Sequence, residues 1–429
     1  MTSLYFIVGL GLIITLSMTM RLKQRWQRLT ALERGLERQD AGLDLGVISM
    51  IICIMGIGLV MVYSASFTKS NQEFGDPYHF LKRQAIFTVV GLLVMWGVSK
   101  INYRVWKPAS YTLWGLSCMA LMMVFVYGRS IKGAKRWLDL GVMNLQPVEL
   151  VKVALLLAAC RMVSEFPAVM PTKKWAYFKK VIPLGALVGL PAAALIKQPD
   201  YGSTLIVGAI GYSAFFLIGG SLWSVILAII LAVVAGIYMV LTGNDHVLRR
   251  VENFWKMTTG EGGPGYNVDQ ALVSFGSGQL TGQGIGNSSQ RNFFLPEAHT
   301  DFIFDIYGEE TGLIGVLILI SLYTGIFIKG LGIARRAPSS YGGLLAAIIS
   351  LLFFTQALTN MMMAIGLAPA KGLTLPLMSY GGSSMVIVCA MLGVLLNISR
   401  RPPPPSERDL WLRFARLLDP LSYLKRRSV

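Results

Sequence analysis

The stretch LPEAHTDFIFDIYGEETG, residues 295–312, gathers side chains that can accept protons or bind cations. It holds five carboxylates and one of the chain's three histidines, and it leads directly into the apolar run LIGVLILISLYTGIFI. Charge beside a membrane-length apolar run is costly, so ionisable residues there indicate function by default. Among the five acids we select Asp301, which lies beside His299 and Thr300 just before that run. The pattern predicts a functional carboxylate at a membrane boundary.

Two other polar groups interrupt apolar sequence. In NLQPVELVKVALLL, Glu149 and Lys152 are three residues apart, so a helix places them on one face, where they can form an ion pair. Such a pair either fixes helix packing or serves function, and the sequence leaves both readings open. In IKQPDYGSTL, Asp200 lies between Pro199 and Gly202, and we expect it to cap the following helix.

The segment LAPAKGLTLPLMSYGGSSM, residues 367–385, separates two apolar spans with prolines and glycines. Irregular backbone at membrane depth is tolerated only where protein or a watery cavity surrounds it. We therefore expect this segment to line a cavity, to which it contributes Lys371 and the hydroxyl groups of Ser379 and Ser383.

A long segment, residues 243–305, contains two further patterns. HVLRRVENFW predicts an interfacial helix whose Arg249 and Arg250 either hold phosphate or face lipid headgroups. GSGQLTGQGIG lacks the Lys-Ser/Thr pair of a P-loop and the strand-turn-helix context of a dinucleotide site, so nucleotide binding is rejected. No second His or Cys lies near His299 at zinc-ligand spacing. We expect no nucleotide, haem or zinc.

The composition sets the class of protein. Of 429 residues, 54% are hydrophobic and 14% are charged, which is typical of a polytopic membrane protein. The formal charge of +17 is explained by Lys and Arg in cytoplasmic loops, and we expect no nucleic-acid partner. The four cysteines lie in apolar runs without CxxC spacing, which indicates small core residues.

A spanning helix needs roughly 20 mostly apolar residues. This length places spans near 4–20, 45–66, 84–100, 109–127, 147–164, 181–197, 202–219, 221–242, 306–328, 343–366 and 384–398. The first is either a signal peptide or an uncleaved anchor, and the lack of a basic region before it favours the anchor. We predict an all-α polytopic membrane protein with a ten-helix core and one extra N-terminal transmembrane helix.

The same reading divides the chain into three parts. Residues 1–44 form an anchor helix and a basic linker, residues 45–400 form the transmembrane core, and residues 401–429 form a Pro-rich, basic amphipathic tail. If the linker is cytoplasmic, the inner segments carry 24 of the 39 Lys and Arg residues. This asymmetry puts the C-terminus in the cytoplasm, and it puts the N-terminus and the large loop 243–305 outside.

Ten short motifs in order resemble a known family. They are GLVMVYSAS, FLKRQ, GAKRWLDLG, QPVELVK, QPDYGS, GYN, GQGIGNSSQ, LPEAHTDFIF, GEE and KGLTLPLMSYGGSS. They resemble the SEDS proteins of bacterial shape, elongation, division and sporulation, over residues from about 45 to 400. The motif LPLMSYGGSS is more similar to the FtsW-like division branch than to the RodA-like branch.

The resemblance implies a peptidoglycan glycosyltransferase that polymerises lipid II on the outer face of the bacterial cytoplasmic membrane, at the division septum. It also implies an FtsI-like class B penicillin-binding protein and other divisome proteins as partners. Asp301 matches the family's essential acid and would be the catalytic residue. Mg²⁺ or Mn²⁺ held by Asp301 and the substrate's pyrophosphate is a candidate cofactor. The predicted substrate-binding residues are Arg136, Arg249, Arg250, Gln290, His299, Lys371, Ser379 and Ser383.

Three alternatives remain at this point. A lipid II transporter would also contain buried charge pairs and broken helices, but its polar residues would follow a path open to both faces. A scaffold that only recruits the penicillin-binding protein would leave the acids of 295–312 without a purpose. A RodA-like elongation polymerase would share the chemistry and differ only in its cellular role.

Overall fold

The computed structural model describes residues 42–131, 134–139, 144–165, 174–217, 266–289, 298–367 and 373–400. These ranges contain ten α-helices and one small sheet. The helices are α1 Leu45–Phe74, α2 His79–Lys100, α3 Trp106–Tyr127, α4 Pro147–Ser164, α5 Lys174–Lys197, α6 Tyr201–Leu217, α7 Tyr266–Gly278, α8 Ile303–Arg336, α9 Ser340–Ala364 and α10 Gly382–Ser399. The strands are β1 Arg129–Ile131, β2 Ala134–Asp139 and β3 Asn144–Leu145.

The helices confirm the predicted polytopic fold. Six of those described are long and apolar enough to cross a membrane: α1, α2, α3 with its preceding turn, α8, α9 and α10. Nine of the ten predicted core spans coincide with a helix. The predicted spans 4–20 and 221–242 and the interfacial helix at HVLRRVENFW lie outside the described residues. Nothing tests the division of the chain into three parts, which stays a prediction.

Local sequence signals fix the ends of helix α1. Asp44 is its N-cap, and its side chain accepts a hydrogen bond from the backbone N–H of Val47 at 3.2 Å. Gly75 ends the helix with φ 66°, a conformation that glycine adopts without strain. At 1.5 Å per residue the 30 residues of α1 span about 45 Å, which exceeds the roughly 30 Å of bilayer hydrocarbon. The polar last turns of α1 therefore extend beyond the membrane.

Small residues let neighbouring helices approach closely. A Cβ added to Gly393 of α10 would lie 2.7 Å from the carbonyl oxygen of Met95 in α2, and one added to Gly91 would lie 2.9 Å from Cys389 Sγ. Close backbone approach of this kind is how helices associate in lipid, where the hydrophobic effect gives no preference for helix–helix contact. The α2–α10 contact thus depends on glycine at these positions.

The small sheet was not predicted. Strand β2 pairs antiparallel with β1 and β3, in the order β1-β2-β3, with Ile131 opposite Ala134 and Leu138 opposite Leu145. It lies in the connection between α3 and α4, and sequence analysis assigned no structure there. The sheet carries Arg136 on β2 toward the turn between α5 and α6.

Helix α8 is interrupted at Gly312, whose φ of 66° and ψ of −168° are not helical. The segment that follows α7 fills the break. In an unbroken helix, the N–H groups of residues 313 and 314 would bond the carbonyl groups of Glu309 and Glu310. Here these two N–H groups and these two carbonyl groups bond the backbone of residues 279–284 instead. The four bonds are Gln283 N to Glu309 O at 3.0 Å, Gly284 N to Glu310 O at 3.0 Å, Leu313 N to Gln279 O at 3.0 Å and Ile314 N to Leu280 O at 3.2 Å.

Candidate functional site

Asp301 lies in the turn 298–302 that leads directly into helix α8. Its backbone is anchored by α9, because Asn360 Nδ2 donates to the carbonyl oxygen of Asp301 at 2.9 Å and to that of Leu373 at 2.6 Å. Asn360 is buried, whereas Asp301 is partly exposed. The carboxylate is therefore carried on a fixed backbone and retains access to the surface.

His299 is packed inside an aromatic cluster beside Asp301. Its ring centroid lies 4.6 Å from that of Phe80 and 5.6 Å from that of Tyr380, and only 4% of the residue is exposed. The N–H of Tyr380 donates to the carbonyl oxygen of His299 at 3.0 Å. Two helices and the segment before α10 thus hold the turn that carries Asp301.

The segment before α10 is irregular and enclosed by protein in its described part, residues 373–381. Ser379 Oγ accepts from the N–H of Leu375 at 2.7 Å, and Gln84 Nε2 donates to the carbonyl oxygen of Ser379 at 3.2 Å. The Tyr323 hydroxyl donates to the carbonyl oxygen of Pro376 at 2.5 Å. Buried backbone groups without helical partners are satisfied in this way.

The other residues predicted for the substrate site are placed as follows. Ser383 is buried in the first turn of α10. Arg136 Nη2 donates to the carbonyl oxygen of Pro199, and its Nη1 lies 3.9 Å from Asp200 Oδ1. The residues Arg249, Arg250, Gln290 and Lys371 lie outside the described residues. The substrate-binding assignments stay predictions.

Glu149 and Lys152 form an ion pair within the membrane-spanning bundle. Lys152 Nζ donates to Glu149 Oε1 at 2.8 Å, and both side chains are buried. Asp200 caps helix α6, because its carboxylate accepts from the N–H of Ser203 at 3.3 Å and from the Ser203 hydroxyl at 2.8 Å. Each of these buried charges therefore has a partner.

All buried charges of the described residues lie at one end of the bundle. They are Glu149, Lys152, Asp200, Asp305, Glu309 and Glu310. The first two lie near the start of α4, Asp200 directly precedes α6, and the last three lie in the first three turns of α8. The starts of α4 and α6 lie together, because Arg136 bonds the carbonyl oxygen of Pro199 from strand β2, which pairs with β3 just before α4. The start of α8 lies at the same end, because Gly202 in α6 packs against Leu373, and Asn360 donates to the carbonyl oxygens of both Leu373 and Asp301. The described part of the opposite end has no buried charge.

Sequence analysis missed the partners of the acids in α8. Glu309 accepts from the hydroxyl of Ser288 and from the N–H and hydroxyl of Ser289, and Glu310 accepts from the hydroxyl of Ser64. Asp305 is fully buried, and neither of its carboxylate oxygens has a hydrogen-bond partner among the described residues. Contacts across 246 residues of chain leave no local pattern, so only the run of acids itself gave a signal.

An apolar cavity of about 470 Å³ lies between α7, α8 and α9. Its lining consists almost entirely of hydrocarbon and ring surface, so it suits an apolar group and not a phosphate. The lining residues are Phe275, Gln279, Phe304, Gly308, Leu313, Val316, Ile320, Tyr323, Phe354, Ala357, Leu358, Met361, Met362 and Ile365.

The polar turn between α1 and α2 flanks the aromatic cluster around His299. Lys82 Nζ donates to Asp76 Oδ2 at 2.8 Å and the N–H of Tyr78 donates to Oδ1 at 3.0 Å. The hydrogen bond from Lys82 is the main cause that holds the pKa of Asp76 below its usual value, with that from Tyr78 second. This turn keeps its negative charge at neutral pH.

The fold and the site define a polytopic helical membrane protein with a carboxylate-rich site at one end of its bundle. Comparison with known proteins then gives the family. The chain belongs to the cell cycle protein family of FtsW, RodA and SpoVE, whose model matches residues 45–402.

Three relatives show how far the similarity extends. The chain is 34% identical over 362 residues to the probable peptidoglycan glycosyltransferase FtsW of Coxiella burnetii, covering 83% of this chain and 96% of that protein. It is similar to a chain of a peptidoglycan synthase complex described as coordinating polymerization and crosslinking, with a TM-score of 0.66, 27% identity and coverage of 83% and 98%. It is also similar to the rod shape determining protein RodA of Thermus thermophilus, with a TM-score of 0.59, 28% identity and coverage of 83% and 97%.

Proposed function

We propose that this chain is a peptidoglycan glycosyltransferase that polymerises lipid II into glycan strands on the outer face of the cytoplasmic membrane during cell division. One observation carries the proposal: every buried charge of the described residues lies at the end of the bundle that carries Asp301. The FtsW relatives bear the name of this activity, and they are matched over most of their length.

The reaction joins two sugars and releases a pyrophosphate. The acceptor's hydroxyl oxygen attacks the donor carbon that carries the undecaprenyl pyrophosphate, whose C–O bond breaks with the electron pair leaving on the phosphate. The hydroxyl proton passes to the carboxylate of Asp301, which acts as a general base. Asp301 suits this role because its backbone is fixed by Asn360 and its side chain is partly exposed.

Cations are needed where the leaving pyrophosphate develops charge. We assign this role to Lys371, Arg249 and Arg250, with Arg136 and Gln290 contributing at the edge of the site. We also assign His299, Ser379 and Ser383 to the polar lining of the substrate site. Arg136 already lies close to Asp200, so substrate phosphate would compete with that carboxylate for the guanidinium group.

A divalent cation fits this site only with help from the substrate. Among the described residues, no three His, Cys, Asp or Glu side chains come together as metal ligands. Mg²⁺ or Mn²⁺ often uses one or two protein carboxylates plus substrate phosphates, so Asp301 would be its protein ligand. When bound, the cation would neutralise charge on the pyrophosphate.

The partner we propose is a class B penicillin-binding protein of the FtsI type, which crosslinks the strands at the septum together with other divisome proteins. The similarity to a chain of a peptidoglycan synthase complex supports such a pairing. The excess of Lys and Arg in the inner segments supports a cytoplasmic C-terminus and an outer N-terminus.

Lipid II transport is the competing function. A transporter needs polar groups along a path reachable from both faces. The described residues place buried charge only near the starts of α4, α6 and α8, which favours chemistry at one face.

The test is glycan synthesis from purified lipid II, with Asp301→Asn as the critical variant. The substitution keeps the shape of the side chain but removes the proton acceptor, so polymerisation should fall by about 10²–10⁴-fold. Asp305→Asn, four residues later, is the matched control and should cost much less. If Asp301→Asn makes as much polymer as the wild type at equal protein amounts, Asp301 is not the catalytic base, and lipid II transport becomes the better hypothesis.

A further inference from the structure

Glu309 joins helix α8, which follows the proposed catalytic residue, to a segment that precedes that residue in the chain. Its carboxylate is fully buried and accepts three hydrogen bonds from one short segment: from the Ser288 hydroxyl, from the Ser289 N–H at 3.1 Å and from the Ser289 hydroxyl at 2.8 Å. Ser289 and Glu309 are 20 residues apart, and His299 and Asp301 lie between them. We call this set of contacts the Glu309 clasp.

Two other contacts hold the turn that carries Asp301. Tyr380 bonds the carbonyl oxygen of His299, and Asn360 bonds that of Asp301. The clasp differs from both because it joins residues 288 and 289 to α8, the helix into which the turn with Asp301 leads. Hydrogen bonds that fix a supporting helix also limit the positions of a functional group carried at its start. The position of Asp301 therefore depends on Glu309 even though Glu309 is two helical turns further along α8.

The backbone reinforces the clasp. Gln283 and Gly284 donate to the carbonyl oxygens of Glu309 and Glu310 at 3.0 Å each, so residues 282–289 are docked on α8 by both main chain and side chain. A Cβ on Gly282 would collide with the carbonyl oxygen of Glu310, which shows how closely the two segments pack. A buried carboxylate in this setting needs all of its donors.

We propose that Glu309 is a positioning residue for the transfer reaction, acting through Ser288 and Ser289 to hold Asp301 at its working position. The inference rests on the proposed function and adds a residue to it. Small displacements of a reacting group lower a rate steeply while leaving substrate affinity less affected. Loss of the clasp should therefore appear in kcat and not in KM.

The critical variant is Glu309→Gln, which keeps the length of the side chain but replaces one acceptor oxygen with a donor. We expect kcat for lipid II polymerisation to fall about tenfold, with KM for lipid II within about twofold of wild type. Amide hydrogen exchange of residues 282–289 should become faster, because the one acceptor oxygen of glutamine must serve three donors that two oxygens serve in the wild type, which weakens the bond from the Ser289 N–H. Wild-type kcat, or unchanged exchange in this segment, would overturn the proposal.

Glu310→Gln is the matched control, because Glu310 is equally buried but bonds Ser64 of α1. It should leave hydrogen exchange of 282–289 at the wild-type level, and equal acceleration in both variants would mean general loosening and overturn the proposal. Ser289→Ala and Ser289→Thr guard against misfolding of Glu309→Gln. Alanine should lower kcat, and threonine, which keeps the hydroxyl, should restore it. If threonine is no better than alanine, the clasp does not position Asp301.

Hydrogen exchange also separates this inference from the proposed function. If wild-type protein makes no glycan from lipid II but Glu309→Gln accelerates exchange of 282–289, the polymerase function is wrong and the clasp is real. If wild-type protein makes glycan and Glu309→Gln changes neither kcat nor exchange, the polymerase function stands and the clasp is wrong.

Discussion

At the scale of single residues, the buried charged groups differ in the partners that compensate their charge. Lys152 satisfies Glu149, two serines satisfy Glu309, and Asp200 caps a helix. Burying a charge is costly, and breaking a buried pair leaves an ion with no compensation. The cost of removing one partner therefore greatly exceeds the net contribution of the pair.

The Glu149–Lys152 pair should stabilise the protein only when both partners are present. Glu149→Ala or Lys152→Ala alone should each cost about 3–5 kcal/mol of stability. The exchanged pair, Glu149→Lys with Lys152→Glu, should recover only part, because Glu149 lies in the first turn of α4, where a negative charge is favoured by roughly 0.3–1 kcal/mol. The melting temperatures of the purified proteins measure this. An exchanged pair no more stable than either single variant contradicts simple pairing.

Sequence reasoning found residues whose signal is local. The i, i+3 spacing is enough to predict that Glu149 and Lys152 share a face, and Pro–Asp–Tyr–Gly is enough to predict the cap at Asp200. Asp301 was selected through its membrane-boundary position together with a family motif. The clasp of Glu309 with Ser288 and Ser289 escaped, because no spacing rule connects residues 20 apart outside regular structure.

At the scale of elements, the long apolar runs were predictable and the irregular pieces were not. Apolar length alone identifies α1, α8, α9 and α10. Helix α7 and the sheet β1-β2-β3 are short and polar or mixed, and tertiary contacts stabilise them. The break in α8 was also invisible, since Gly312 is one of many glycines and the segment that fills the break lies about thirty residues earlier.

Gly312→Ala should destabilise the junction between α7 and α8. The backbone at Gly312 occupies a region that is essentially restricted to glycine, which costs another residue about 1–3 kcal/mol. The added Cβ would also lie 2.6 Å from the carbonyl oxygen of Leu280. The melting temperature should fall accordingly.

Gly97→Ala is the matched control in α2, where a Cβ would meet nothing within 4 Å. Because alanine is the better helix former, this variant should gain roughly 0.5–1 kcal/mol. If both glycine variants melt at the same temperature, the geometry at the α8 break is not a constraint.

At the scale of the whole molecule, function depends on which side of the membrane the end of the bundle with the buried charges faces. The positive charge of the inner segments predicts that the ends of α1 and α9 and the starts of α2, α4, α6, α8 and α10 face outward. That orientation puts Asp301 and the clasp on the side where a wall polymer is assembled.

Thiol labelling in intact cells measures this orientation. With the four native cysteines replaced, Gln72→Cys near the end of α1 should react with a membrane-impermeant reagent, because that residue is exposed and predicted to lie outside. Arg335→Cys, exposed in the last turn of α8, should react only after the cells are opened. The reverse labelling pattern would mean that the protein has the opposite orientation in the membrane, and it would exclude synthesis on the outer face.

The break at Gly312 has a consequence for how the chain is made. The side chains of Leu313 and Ile314 are exposed where lipid would lie, so their backbone N–H groups have no water to bond until residues 279 and 280 arrive. An unpaired backbone group in hydrocarbon costs several kcal/mol. The first turns of α8 should therefore leave the translocation channel only together with the segment synthesised just before them. Integration of α8 into the bilayer and docking of its partner segment then become a single cooperative step of biogenesis.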